Sequence, residues 1–112
     1  MAKKLEVLRV YLDEQWKWKG NLLYRALVEE LRRQGASGAT VFRAVEGFGS
    51  SVKIREAHIL EMSENLPLVL EVAETPAQIR KLWKVLSPFL PAKCLATIHS
   101  VRALSPGRPK GR

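Results

Sequence analysis

The chain is poor in cysteine, glycine, proline and uninterrupted apolar sequence, and each shortage excludes something. Cys94 is the single cysteine among 112 residues. No internal disulfide can therefore staple the fold, and a lone thiol fits a reducing, cytoplasmic setting. Seven glycines and six prolines are too few for a collagenous or low-complexity chain. Nowhere do about 18 apolar residues run together, as a membrane-spanning helix requires. The early run Leu5 to Leu12 contains Glu6 and Arg9 and leads into Asp13-Glu14, which is not the pattern of a signal peptide. The two histidines, His58 and His99, lie far apart with no cysteine or carboxylate at metal-ligand spacing, so both read as ordinary strand residues. Ser50 and Ser51 sit in no nucleophile elbow, and Cys94 has no histidine at a recognisable spacing. An enzyme is the least expected reading.

What is present suits one globular domain. The chain is 46% hydrophobic and 27% charged, and at this length it can bury about two thirds of its unfolded surface. Nineteen Lys+Arg oppose eleven Asp+Glu for a net +8, and the pI is near 10.1, which favours anionic partners. Arg108, Lys110 and Arg112 supply three of those charges, which leaves +5 for the body. Residues 1–104 therefore read as the domain and 105–112 as a basic, flexible tail.

Lys3 to Leu12 alternates as a strand, with Leu8, Val10 and Leu12 on one side and Leu5, Val7, Arg9 and Tyr11 on the other. Asn21 is a candidate N-cap for a helix whose Leu23, Leu27 and Leu31 recur every four residues, and Gly35 is a natural C′ residue. Ala39 to Glu46 reads as a second strand, followed by the small-residue loop Gly47-Phe48-Gly49-Ser50-Ser51. Val52 to Ala57 is polar and basic. His58 to Met62 and Leu66 to Val72 read as strand segments around Ser63-Glu64-Asn65, either a hairpin or one long irregular strand. Thr75-Pro76-Ala77-Gln78 is a helix start, with Ile79, Leu82, Trp83 and Leu86 on one face and Ser87-Pro88 as its stop. A last strand runs from about Cys94 to Leu104.

The order β, α, β, β, α, β is that of an α+β, ferredoxin-like βαββαβ sandwich: one antiparallel sheet with two helices on one face. The first strand is apolar on both sides, so the face without helices calls for a closed oligomer to cover it.

Trp16-Lys17-Trp18-Lys19 is the most unusual local composition. Its indoles could stack on a base while its ammoniums meet phosphate, or one Trp packs beneath the first helix with the lysines in solvent. Both readings stand on the sequence. Gly47-x-Gly49 taken alone lacks the third glycine of a dinucleotide loop.

The stretch Gly35-Ala-Ser-Gly-Ala-Thr-Val-Phe-Arg-Ala-Val-Glu-Gly-Phe-Gly49 closely resembles the strand leading into the T-loop of PII signalling proteins, with both G-x-x-G-x-T-V and G-F-G elements in place. Leu66-Pro67-Leu-Val-Leu-Glu-Val72 followed by a Pro-containing helix start is similar to the third PII strand and second helix. Together with Trp18-Lys19-Gly20 and Leu23-Tyr24, these resemble a PII-like family known chiefly as a domain of unknown function, over residues 4 to about 104.

That resemblance implies a homotrimer with inward-facing sheets and an adenine nucleotide (AMP, ADP or ATP) between subunits, with no required cofactor. It assigns phosphate contacts to Gly47, Phe48, Gly49, Ser50 and Ser51, and a phosphate-binding role to Lys93. Trp18, Lys19 and Arg43 complete the candidate nucleotide-binding set. Val52, Lys53, Ile54 and Arg55 lie in the short T-loop, from Ser50 to about Ala57, and would meet a target protein, a membrane transporter or channel among the candidates. The sequence departs from the PII pattern at Phe89-Leu90-Pro91-Ala92, where PII proteins carry a glycine-rich loop, and at Ser50-Ser51, where they carry arginine and glutamine.

The leading expectation is therefore a nucleotide sensor, whose ligand must prefer one loop arrangement over another to transmit anything. A nucleotide-free interaction scaffold is second. A nucleic-acid-binding module is ranked last, because ferredoxin-like RNA binders use the open sheet face that the oligomer claims here.

Overall fold

A computed structural model describes residues 2–48 and 66–106 of the chain. The expected segment His58 to Met62, the T-loop positions and the basic end of the tail lie outside the described residues. In chain order the elements are β1 (Ala2–Asp13), β2 (Lys17–Trp18), β3 (Asn21–Leu22), α1 (Leu23–Arg33), β4 (Thr40–Arg43), β5 (Pro67–Glu74), α2 (Pro76–Leu86), a 3-10 turn at Ser87–Phe89, and β6 (Leu95–Leu104).

The four long strands form one sheet in the order β4-β5-β1-β6, every neighbouring pair antiparallel. β5 is thus inserted between β1 and β4, the split βαβ arrangement the sequence predicts. The core is where one row of each central strand meets one stripe of each helix. Leu8, Val10 and Leu12 of β1 and Leu68, Leu70 and Val72 of β5 are buried. They pack against Leu23, Leu27 and Leu31 of α1 and Ile79, Leu82 and Leu86 of α2. Each such side chain contributes about 1.5–3 kcal/mol by leaving water.

The helix ends follow their local signals, with one exception. Gly35 has φ +83°. The N–H groups of Gly35 and Ala36 donate to the carbonyls of Arg32 and Leu31 at 3.0 and 3.1 Å, which closes α1 in a Schellman motif. Thr75 Oγ1 accepts from the Gln78 N–H at 3.3 Å at the start of α2, with Pro76 in the first turn. The exception is Asn21. It does not cap α1 but pairs with Trp18 across the β2–β3 hairpin. The turn residues Lys19 and Gly20 both have positive φ, 48° and 86°, the signature of a type I′ turn. The hairpin does the capping instead: the Leu23 N–H donates to the Trp16 carbonyl at 2.8 Å.

Two further expectations are corrected. The second long strand is the four-residue β4 rather than Ala39 to Glu46, although the Ala44 N–H still donates to the Pro67 carbonyl at 2.9 Å. Trp83 does not share the buried face of α2 and is 36% exposed. Ile79, Leu82 and Leu86 fill the sheet-facing arc, and a residue one step round from Leu82 falls on its border.

On the sheet face opposite the helices, the register sorts side chains into bands. Phe42, Val69, Tyr11 and Leu95 lie side by side across all four strands. Phe42 is 50% and Leu95 58% exposed. The next band is polar: Thr40, Glu71, Arg9 and Thr97, in which Arg9 Nε donates to Glu71 Oε2 at 2.8 Å. That hydrogen bond raises the Arg9 pKa further above its ordinary value. Beyond it come Ala73, Val7 and His99, then Leu5 and Val101. His99 shares a 2.9 Å hydrogen bond with Thr97 along β6.

Candidate functional site

Register decides which loops share an end of the sheet, and strand order puts β4 and β6 at its opposite edges. β1 and β4 run parallel and end at the same end of the sheet, where β5 and β6 begin. That end gathers the segments carrying the candidate residues: the Gly47-Phe48 exit from β4, the β2–β3 hairpin, and the loop before β6 that carries Lys93. α2 also finishes there, because it runs back from the far end of β5.

Asp13 organises the junction after β1. It is the one buried charged side chain among the described residues. Its Oδ1 accepts from the Gln15 N–H at 2.7 Å and its carbonyl from the Trp16 N–H at 3.1 Å, an Asx-type turn that starts the path into the hairpin. The Glu14 N–H donates to the Leu66 carbonyl at 3.3 Å, which ties this junction to the entry of β5.

The candidate residues divide into those held within the chain and those presented to solvent. Trp18 stacks on Phe89, ring centroids 4.6 Å apart and tilted by 37°, and Lys19 Nζ lies 5.3 Å from the Trp18 ring centre. The hairpin therefore rests on the 3-10 turn that opens the loop to Lys93, and Trp18 and Phe89 both border the core. The Trp18 indole is half-buried against the core. Arg43 forms an ion pair with Glu14, whose side chain is largely covered while the guanidinium is half exposed.

Gly47 and Phe48 stand at the exit of β4. A Cβ on Gly47 would come within 3.3 Å of Pro67 Cγ, so the absent side chain lets the chain leave the sheet close against β5. Phe48 is 72% exposed. Lys93 is exposed in the turn before β6. Gly49, Ser50, Ser51, Val52, Lys53, Ile54 and Arg55 lie outside the described residues.

Beside Lys93, the Cys94 thiol donates to the Tyr11 carbonyl at 3.3 Å, and burial pushes its pKa up to about 11. It is a neutral structural group at physiological pH. Sequence reading missed Asp13, Glu14 and Phe89. Only the first had a local signal, an acidic residue two positions before a bend; the other two act through partners distant in sequence.

Residues 5–103 match the DUF190 family, described as "Uncharacterized ACR, COG1993". The chain belongs to the DUF190 family. Relatives include a UPF0166 protein of Aquifex aeolicus, 32% identical over 78 residues that cover 70% of this chain and 74% of that one. A UPF0166 protein of Methanocaldococcus jannaschii is 34% identical over 79 residues, covering 70% and 72%.

The fold of this DUF190 member is PII-like. It is similar to CPII from Thiomonas intermedia K12 bound to ADP, AMP and acetate, with TM-score 0.67 and 17% identity over 95% of this chain and 94% of that one. The same protein bound to ADP and bicarbonate gives 0.67 and 18% over the same coverage. Its apo form, named a nitrogen regulatory PII-like protein, gives 0.63 and 18% over 97% and 98%. The expected ferredoxin-like architecture holds, and its fold is similar to that of PII-like proteins. Among the described residues no helix is long and apolar enough to cross a membrane.

Proposed function

We propose that this DUF190 protein is a PII-like regulator. An adenine nucleotide binds in the clefts of a homotrimer, and its presence biases the 50–57 loop, which docks on or leaves a target protein. The observation that supports this reading is that Gly47-Phe48, the Lys93 turn and the hairpin share one end of the sheet, with β4 and β6 at its opposite edges as a cleft between subunits would need, in a fold whose neighbour CPII was solved with ADP and AMP. Gly47 leaves the backbone free to approach an anion, and an exposed lysine at the same end supplies positive charge. The apolar band Phe42, Val69, Tyr11 and Leu95 supports the trimer, because a half-exposed apolar row across a whole sheet is an interaction surface.

Calorimetric titration with AMP, ADP and ATP, with and without magnesium, tests the reading at about physiological ionic strength, where nonspecific attraction is screened. Saturation near one nucleotide per subunit is expected, with weaker binding by Lys93→Ala and Gly49→Val. Absence of heat from all three nucleotides rejects it. A nucleotide-free scaffold is the second reading, favoured by two features: Trp18 and Arg43 are already engaged by Phe89 and Glu14, and Phe89-Leu90-Pro91-Ala92 replaces a glycine-rich loop.

A further inference from the structure

Among the described residues the net positive charge is confined to the hairpin and the helix layer. The hairpin and the two helices, residues 17–33 and 76–86, carry eight Lys and Arg against two Glu. The remaining described residues carry six cations and six acids, so the sheet and its edges are neutral. The excess lies on the helix layer, opposite the apolar band that the oligomer would cover.

Within that layer α2 is the most one-sided element. It contains Arg80, Lys81 and Lys84 and no acid, and all three are exposed. Arg80 and Lys84 are one turn apart, about 6 Å along the axis, an arrangement that opposes helix formation unless an anion relieves it. Trp83 borders the same stripe, 36% exposed. On α1, Glu30 accepts hydrogen bonds from Arg33 at 2.9 Å and from Gln34 at 2.8 Å, which lower its pKa. It is thus unavailable to offset α2.

We propose that this helix layer binds the phosphodiester backbone of single-stranded nucleic acid, with Arg80, Lys81 and Lys84 on phosphates and Trp83 as a platform for an unpaired base. The proposal is independent of nucleotide sensing. Three anionic partners compete for such a surface, and the structure separates them. Insertion into a lipid interface needs an apolar helix face, whereas the apolar stripe of α2, Ile79, Leu82 and Leu86, is buried against the sheet. An acidic protein would need an apolar anchor in a pocket at a lysine-poor centre. Backbone binding needs only accessible cations and a stacking surface. The open sheet face, on which the sequence ranks nucleic acid last, is not involved.

The experiment is fluorescence anisotropy of a labelled single-stranded 20-mer with the full chain across a salt series. Neutralising about six phosphates gives a log–log salt slope of about −4, a loss of about 300-fold from 50 to 200 mM salt. Arg80→Gln/Lys81→Gln/Lys84→Gln should make that slope shallower by about 2 units, and Trp83→Ala should weaken binding about tenfold. Unchanged thermal midpoints establish that these surface variants fold. A slope the triple variant leaves intact overturns the proposal, as does loss of all binding on removal of residues 105–112, which would move the contact to the tail. Tight, α2-dependent binding to vesicles containing phosphatidylserine, with none to the oligonucleotide, also overturns it.

Discussion

Phe42→Ser tests the oligomer from a single side chain. Phe42 is 50% exposed in the isolated subunit and sits at the end of the apolar band on the sheet's open face. A phenylalanine carries roughly 200 Å² of burial, so a partner subunit would cover about 100 Å² more of it. At about 25 cal/mol per Å² the serine variant loses about 2.5 kcal/mol per subunit, or about 7 kcal/mol for a trimer. That is a factor of about 100,000 in the association constant. Because trimer formation is third order, its midpoint concentration should rise several-hundred-fold, on the order of the square root of that factor. Sedimentation velocity across a wide concentration range reads the midpoint directly, and circular dichroism checks that the subunit stays folded. A wild-type protein that is monomeric throughout, or a midpoint that Phe42→Ser leaves in place, refutes the covered-face argument.

Leu82→Ala removes a fully buried side chain between α2 and the sheet and should cost about 3 kcal/mol, read as a lower urea midpoint at an unchanged slope. Thr75→Ala deletes the acceptor for the Gln78 N–H and should cost about 1 kcal/mol, with Thr75→Asp restoring it. Cys94, with its pKa pushed up to about 11, should be alkylated by iodoacetamide at pH 8 more than a hundredfold more slowly than an ordinary thiol of pKa about 8.5; reaction at the ordinary rate would refute its burial. The folded state keeps this thiol protonated while the unfolded chain ionises it, so stability should fall as pH rises from about 8.5 towards 11.

Much of the architecture was legible because its signals are local. The alternation in β1, the four-residue spacing Leu23, Leu27 and Leu31, the Gly35 terminator and the Thr75-Pro76 start each act within a few residues and appear as expected. The β2–β3 hairpin was not legible, because two-residue strands are shorter than any periodicity. Asn21 accordingly looked like a cap when its backbone was needed for pairing with Trp18. The candidate site was legible as segments and not as an assembly. Gly47, Lys93 and Trp18 share one end of the sheet only through the register of β5 with β4 and of β1 with β5 and β6. The Arg43–Glu14 and Trp18–Phe89 contacts join positions whose neighbouring sequence says nothing of each other. The charge asymmetry lay in the composition throughout but needed the fold to give it a side.

The position of β1 also bears on the order in which the molecule can be built. This strand is synthesised before either of its sheet neighbours, yet it pairs only with β5, from Pro67 onward, and with β6, where Ala2 opposes Leu104. A nascent chain that has produced β1, α1 and β4 holds a strand apolar on both faces with no backbone partner, and must keep it from pairing with other chains. Loop closure over nearly the whole length precedes the final pairing, so folding should be slow for a domain of this size and complete only after β6 has left the ribosome.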